Sequence, residues 1–235
     1  MFKIASFYFL CFIFFNQPLP VASRYPREYK FAFDFCKSIT LKTDSISKKF
    51  NITSQSILPI VFPECMRYSV VKDHLETSAL NVLYVNFGNK YSDFSIGRFQ
   101  MKPSFVEMLE KEVLSNPELL KEFQFLTKYS TLVESKIRMH RVGRLSQLDW
   151  QINYLCCFYR IIEMRFKNIK FKSEDSKIDF YATAYNLGFW KSFQEIEKQQ
   201  QMPTFPGGYV DYEKNYPYGT IAVDFYKLSN YSQHK

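Results

Sequence analysis

The chain has 235 residues, 46% of them hydrophobic and 19% aromatic, with a formal net charge of +8 at pH 7. That length, with no Gly/Ser-rich or Pro-rich linker dividing it, fits one domain with a sizeable core. A basic chain is drawn to anionic surfaces such as cell-wall polymers or lipid head groups. Nucleic acid is set aside as a partner, because the basic residues are spread over the whole chain and an export signal opens it.

Met1-Phe2-Lys3 is a short basic start, Ile4 to Phe15 is an almost unbroken apolar run, and Asn16 to Pro20 breaks it. Val21-Ala22-Ser23 then offers small residues for cleavage, so residues 1–23 read as a secretory signal peptide and 24–235 as a single exported domain, periplasmic or secreted. A membrane span needs about 20 apolar residues, which neither this run nor any later one supplies. Cys36, Cys65, Cys156 and Cys157 remain beyond the leader. Their number and spacing fit neither a disulfide framework nor a zinc site, so no metal and no cofactor are implied. Cys156 and Cys157 read as small core residues of an apolar helix. One long-range bridge involving Cys36 stays open in an oxidising compartment. Asn51-Ile52-Thr53 and Asn230-Tyr231-Ser232 match the glycosylation acceptor pattern.

In chain order, Ile57-Leu58-Pro59-Ile60-Val61-Phe62-Pro63-Glu64 is an apolar helix in which Pro63 removes a backbone donor and should kink the chain. Pro103 opens a helix over Ser104 to Leu114, and Asn116-Pro117 caps and opens one over Glu118 to Tyr129. Leu148 to Phe166 carries Leu148, Ile152, Leu155, Tyr159, Ile162 and Phe166 at alternating spacings of four and three, with Ser146 as its expected cap. Tyr154, Phe158 and Ile161 widen its apolar surface, which predicts a central, largely buried pillar. Ser173, with Glu174 and Asp175 in the first turn, opens a helix to Asn186 that stops at Gly188. Alternating patterns are scarce: Leu41 to Thr43 and Tyr91 to Ile96 hold a short β-hairpin at most. The predicted fold class is all-α.

Three places carry chemistry. Glu64 follows an apolar run that would desolvate its carboxyl and raise its pKa, so it keeps a proton to donate to a leaving oxygen, which is how a glycosidic bond is cut. Its bland reading is a surface glutamate on an amphipathic helix. Gly97-Arg98-Phe99-Gln100-Met101-Lys102-Pro103 turns a loop into a wall, with the Gln100 amide able to donate to and accept from sugar hydroxyls. Ala184-Tyr185-Asn186-Leu187-Gly188 sets a phenol and an amide at a helix end, against a bland reading of Tyr185 as a core aromatic.

The order and wording of these segments resemble the lysozyme-like lytic transglycosylases, which cleave the glycan strands of peptidoglycan. That pattern has a glutamate ending an apolar helix, then a Gly-Leu-Met-Gln-x-x-Pro-like turn, then an Ala-Tyr-Asn-x-Gly helix end, and the resemblance covers residues 54–226. It implies an α-rich lysozyme-like fold and β-1,4 glycosidic cleavage by a single glutamate without a cofactor. In its terms Glu64 is the catalytic acid and base, Phe99 and Gln100 line the groove with Asn186, and Tyr185 hydrogen-bonds and positions the glutamate. The family usually has Ser or Thr after the glutamate, where this chain has Cys65. Glu76, followed by Thr77 and nearer to Gly97, is the alternative acid; Glu64 is preferred for the apolar run before it. In the family one carboxyl protonates the glycosidic oxygen and then takes a proton from the sugar's own C6 hydroxyl, closing a 1,6-anhydro ring. An inverting hydrolase would need a second carboxylate about 6.5–9.5 Å away, for which Asp93 is the candidate and a turn-forming aspartate its bland reading. Trp190, Tyr216 and Tyr218 are candidates for flanking the groove. The other class of function is a catalytically inactive peptidoglycan-binding or cell-wall assembly protein that keeps the groove.

Overall fold

A computed structural model describes residues 21–68, 74–206 and 215–231. The expected leader falls outside the described residues except at its end, where Val21 is buried at the start of helix α1, Val21–Arg24. Tyr25 then leads into α2, Pro26–Ser47, with proline in the first turn where its missing N–H costs no ladder bond. The described residues form an all-α architecture with one two-stranded antiparallel sheet. No helix among them is long and apolar enough to cross a membrane.

Leu41 to Thr43 is helical, not strand. Ile39, Thr43 and Ser47 recur every four residues on the buried face of α2, while Leu41 is 85% exposed on the other. A helical period sustained over many residues outweighs a three-residue alternation of apolar and polar side chains. The loop at Tyr91 to Ile96 contributes only an isolated bridge, Ile96 to Met101. The sheet forms elsewhere, between β1, Pro203–Phe205, and β2, Tyr216–Pro217.

Helix α3, Ser54–Tyr68, contains both Pro59 and Pro63 and buries every side chain from Ile57 to Met66. It is enclosed by α2, by α9 (Glu174–Leu187) and by α11 (Tyr218–Tyr231), and it also touches α8, Leu148–Arg165. Each fully buried Ile, Leu or Phe in such a helix contributes about 1.5–3 kcal/mol. That gain outweighs the ladder bonds that the two prolines forfeit. Helix α8, expected as the central pillar, is largely buried, with Ile152, Leu155, Phe158 and Ile162 in the core. It starts from Gln147 without a side-chain cap; Ser146, expected in that role, instead donates to the Val142 carbonyl at 3.0 Å. That bond belongs to the end of α7, Glu134–Leu145, so the hydroxyl closes one helix and does not open the next.

The remaining helices are α4 (His74–Phe87), α5 (Pro103–Ser115), α6 (Pro117–Phe123) and α10 (Phe193–Gln200). Asn116 caps α6, its Oδ1 accepting from Glu118 N at 2.9 Å and Leu119 N at 3.3 Å. After Phe123 that segment tightens into a 3₁₀ turn over Gln124–Thr127, so the expected helix to Tyr129 is shorter. Ser173 caps α9 through a reciprocal pair of bonds with Ser176, and Gly188 ends it. Away from α3, the buried Arg141 of α7 donates to Glu110 at 2.7 Å, to Glu107 at 3.0 Å and to the Tyr84 hydroxyl at 2.7 Å. Tyr154 donates to Glu110 at 2.9 Å and Tyr129 bonds the same carboxylate, so one charged cluster ties α4, α5, α7 and α8.

Candidate active site

The segment that should turn does so because Gly97 adopts φ +72°, and a Cβ there would lie 1.8 Å from Gln151 Nε2 and 2.7 Å from the Leu145 carbonyl oxygen. Ile96 and Met101 close the turn with two backbone bonds, 2.9 and 3.1 Å. Gln151, buried on α8, accepts from Phe99 N at 2.8 Å and donates to the Leu145 carbonyl at 2.7 Å. From the other side the Tyr185 hydroxyl donates to the Phe99 carbonyl at 2.8 Å. The turn is therefore clamped between α8 and α9. Gln100 is held in a left-handed conformation, φ +49°, a strained state for a residue with a side chain and one that concentrates at functional sites.

A cavity of about 780 Å³ opens beside this turn. That lies within the ~300–1,000 Å³ range of small-molecule and oligomer-unit sites. Helix α3 contributes Glu64, Met66 and Arg67, and the turn contributes Gln100, Met101 and Lys102. Helix α9 and its exit contribute Tyr185, Asn186 and Trp190, while Tyr25 and Glu28 close it from the start of α2 and Phe205 and Pro206 from β1. Glu64, Gln100, Tyr185, Asn186 and Asp93, separated by up to more than a hundred residues in sequence, thus share one wall system.

Glu64 is 7% exposed. Burial pushes its carboxyl pKa up from the ordinary value; the Arg67 charge, hydrogen bonds from Tyr218 and Arg67, and the Lys102 charge pull the other way without reversing it. Arg67 Nη1 stands 2.7 Å from Glu64 Oε1 and 3.2 Å from Asn186 Oδ1. Its other nitrogens donate to the Pro206 and Thr204 carbonyls at 3.0 and 3.1 Å, so the guanidinium links α3, α9 and β1. The Phe205 and Tyr218 rings lie against it, their centroids 5.4 and 5.3 Å from its central carbon. Tyr218, buried at the start of α11, also faces the Ile60 carbonyl at 3.4 Å.

Several expected residues have other roles here. The Phe99 side chain is fully buried and is absent from the cavity wall; only its backbone serves the site, by holding the turn. Tyr185 donates to the Phe99 carbonyl, and the phenol that favours the charged form of Glu64 is Tyr218. Asp93 lines the cavity, but its two oxygens accept from Ser104 N at 3.0 Å and Ser104 Oγ at 2.8 Å, which caps the first turn of α5. Trp190 flanks the cavity, whereas Tyr216 is buried edge-on to Tyr25 at 6.4 Å. Glu76 belongs to α4, which packs on α7, and its side chain lies outside the described residues. No group of three or more His, Cys, Asp or Glu among the described residues could hold a metal ion.

Sequence reasoning overlooked Arg67, Gln151 and Glu28. Arg67 had a signal, since a cation three residues after a buried acid on one helix shares its face. Gln151 had a weaker one: an amide inside a nearly continuous apolar helix must find partners. Glu28 had none, because only the folded chain brings the start of α2 to this cavity. Comparison with family models, curated proteins and solved structures finds no match to this chain.

Proposed function

We propose that the chain is an exported enzyme that cleaves the β-1,4 glycosidic bonds of peptidoglycan glycan strands, with Glu64 as its single acid and base, by lytic transglycosylation. The observation that carries this reading is a buried carboxyl with a raised pKa, facing a cavity that it shares with Gln100, Tyr185 and Asn186. The protonated Glu64 donates to the glycosidic oxygen as the bond to the departing sugar breaks. The carboxylate left behind is stabilised by Arg67 and Tyr218, and it then accepts the proton of the C6 hydroxyl as that oxygen closes the anhydro ring. Proton donation and proton recovery balance, so no second carboxylate is required. Asp93, occupied by Ser104, is poorly placed to activate water. Gln100 and Asn186 supply amides that suit N-acetyl and hydroxyl groups, and Trp190 supplies a ring face for a sugar.

The test is release of soluble fragments from purified sacculi, with mass spectrometry of their ends. The expected result is 1,6-anhydro ends from the wild type and from Glu76→Gln, and no release by Glu64→Gln. Full release by Glu64→Gln, or release lost only in Glu76→Gln, overturns the assignment.

The 2.7 Å contact between Arg67 and Glu64 favours a second reading, because an ion pair of this geometry stabilises the charged carboxylate. In that reading the groove binds peptidoglycan in wall assembly without cutting it. Sedimentation of the protein with insoluble sacculi and no soluble product would select it.

A further inference from the structure

We propose that Cys36 and Cys65 form a disulfide that fastens α2 to α3 one residue from Glu64. The two sulfur atoms lie 4.0 Å apart, already in contact, and both side chains are buried where these helices meet. They come from positions 29 apart in sequence, so the bond closes a sizeable loop between two long helices. Among the described residues the other two cysteines make no competing pair: Cys156 and Cys157 are neighbours within α8, where helical backbone geometry splays adjacent side chains. The inference stands apart from the proposed glycan cleavage, since the bond is read directly on the protein.

The chemistry is thiol–disulfide exchange with a disulfide oxidant, such as oxidised glutathione or the disulfide of a thiol oxidase. One cysteine, as thiolate, attacks an oxidant sulfur and expels one thiolate. The second attacks the protein sulfur of the resulting mixed disulfide and expels the other. The protein pair loses two protons and two electrons, and the oxidant becomes two thiols. Desolvation holds the Cys65 thiol protonated well above its usual range, so attack is slow once α2 and α3 have closed. The bond therefore forms during folding, while the helices are still separating and meeting.

The experiment refolds the wild-type chain from reduced, denatured protein in a glutathione redox buffer, blocks free thiols with iodoacetamide and maps the peptides. The expected result is one cross-linked peptide joining Cys36 to Cys65, with Cys156 and Cys157 alkylated after denaturation. Cys36→Ser loses the cross-link and frees Cys65, while Cys156→Ser keeps it. The oxidised form should melt about 5–10 °C above the reduced form. Alkylation of Cys36 and Cys65, or a bridge that joins either of them to any other cysteine, overturns the proposal. Should oxidised protein form the Cys36–Cys65 bond yet release nothing from sacculi, the glycan-cleaving reading fails and the bond stands.

Discussion

Glu64 sits between two opposed influences, an apolar wall that favours its neutral form and a guanidinium that favours its charge, and pH separates them. Its folded pKa is raised above the ordinary 4.5, so between these two values the native state binds more protons than the unfolded chain. Native stability then falls with rising pH through that window. Glu64→Gln mimics the protonated acid and has no such slope. Its melting temperature relative to wild type should therefore climb from pH 4 upward and level off once wild-type Glu64 is fully ionised. A difference that stays flat or falls would mean that Arg67 has overcome burial. Arg67→Met removes the counter-charge, so the alkaline limb of activity on sacculi should move upward by about 1–3 pH units. Tyr218→Phe removes a hydroxyl that favours the carboxylate and should shift the same limb in the same direction by less. Glu64 was legible because an apolar run ending in an acid can be read from neighbouring residues. Tyr218 as its partner was not, since the contact spans most of the chain.

At the scale of elements, the turn from Ile96 to Met101 shows how local rules and distant supports combine. Gly97 and Pro103 announced a turn and a helix start, and both are present. The clamp was invisible, because Gln151 and Tyr185 reach the turn from helices 52 and 86 residues away from Phe99. Tyr185→Phe frees the buried Phe99 carbonyl of its donor and should cost about 1–3 kcal/mol, measured by denaturant unfolding. Because Tyr185 acts through the turn and not on the carboxylate, that variant should raise KM while leaving the alkaline limb where wild type has it. A moved limb would restore Tyr185 as the partner of Glu64. Gly97→Ala meets a backbone oxygen as well as a flexible amide, and left-handed backbone alone costs a residue with a side chain about 1–3 kcal/mol. Its melting temperature should drop more than that of Tyr185→Phe. The helical period of α8 was legible over its whole length, whereas the stretch from Leu41 to Thr43 was misread because three residues cannot reveal the period of the helix that contains them.

Across the whole molecule, the buried charged groups among the described residues fall in two separate places. One is the cavity around Glu64. The other is the cluster of Arg141, Glu107, Glu110, Tyr84, Tyr129 and Tyr154, none of which lines that cavity. Composition gave no sign of this division, since buried charge in a sequence is indistinguishable from surface charge until its partners are placed. Glu110 accepts from Arg141, Tyr154 and Tyr129 at once, so Glu110→Ala strips a buried cation and two phenols of their shared acceptor. Removing one partner of a buried ion pair costs about 3–5 kcal/mol. At about 2–4 °C per kcal/mol for a chain of this size, the melting temperature should drop by about 6–20 °C. Glu107 lies 3.0 Å from Arg141 and keeps part of the charge compensated, which places the result toward the lower end. Measured at 25 °C on the folded fraction, release from sacculi should match wild type, with the pH limb unchanged. Loss of release in proportion to folded protein, and no more, is the outcome that assigns this cluster to stability alone; a fall in release per folded molecule would tie α5 and α7 to the cavity.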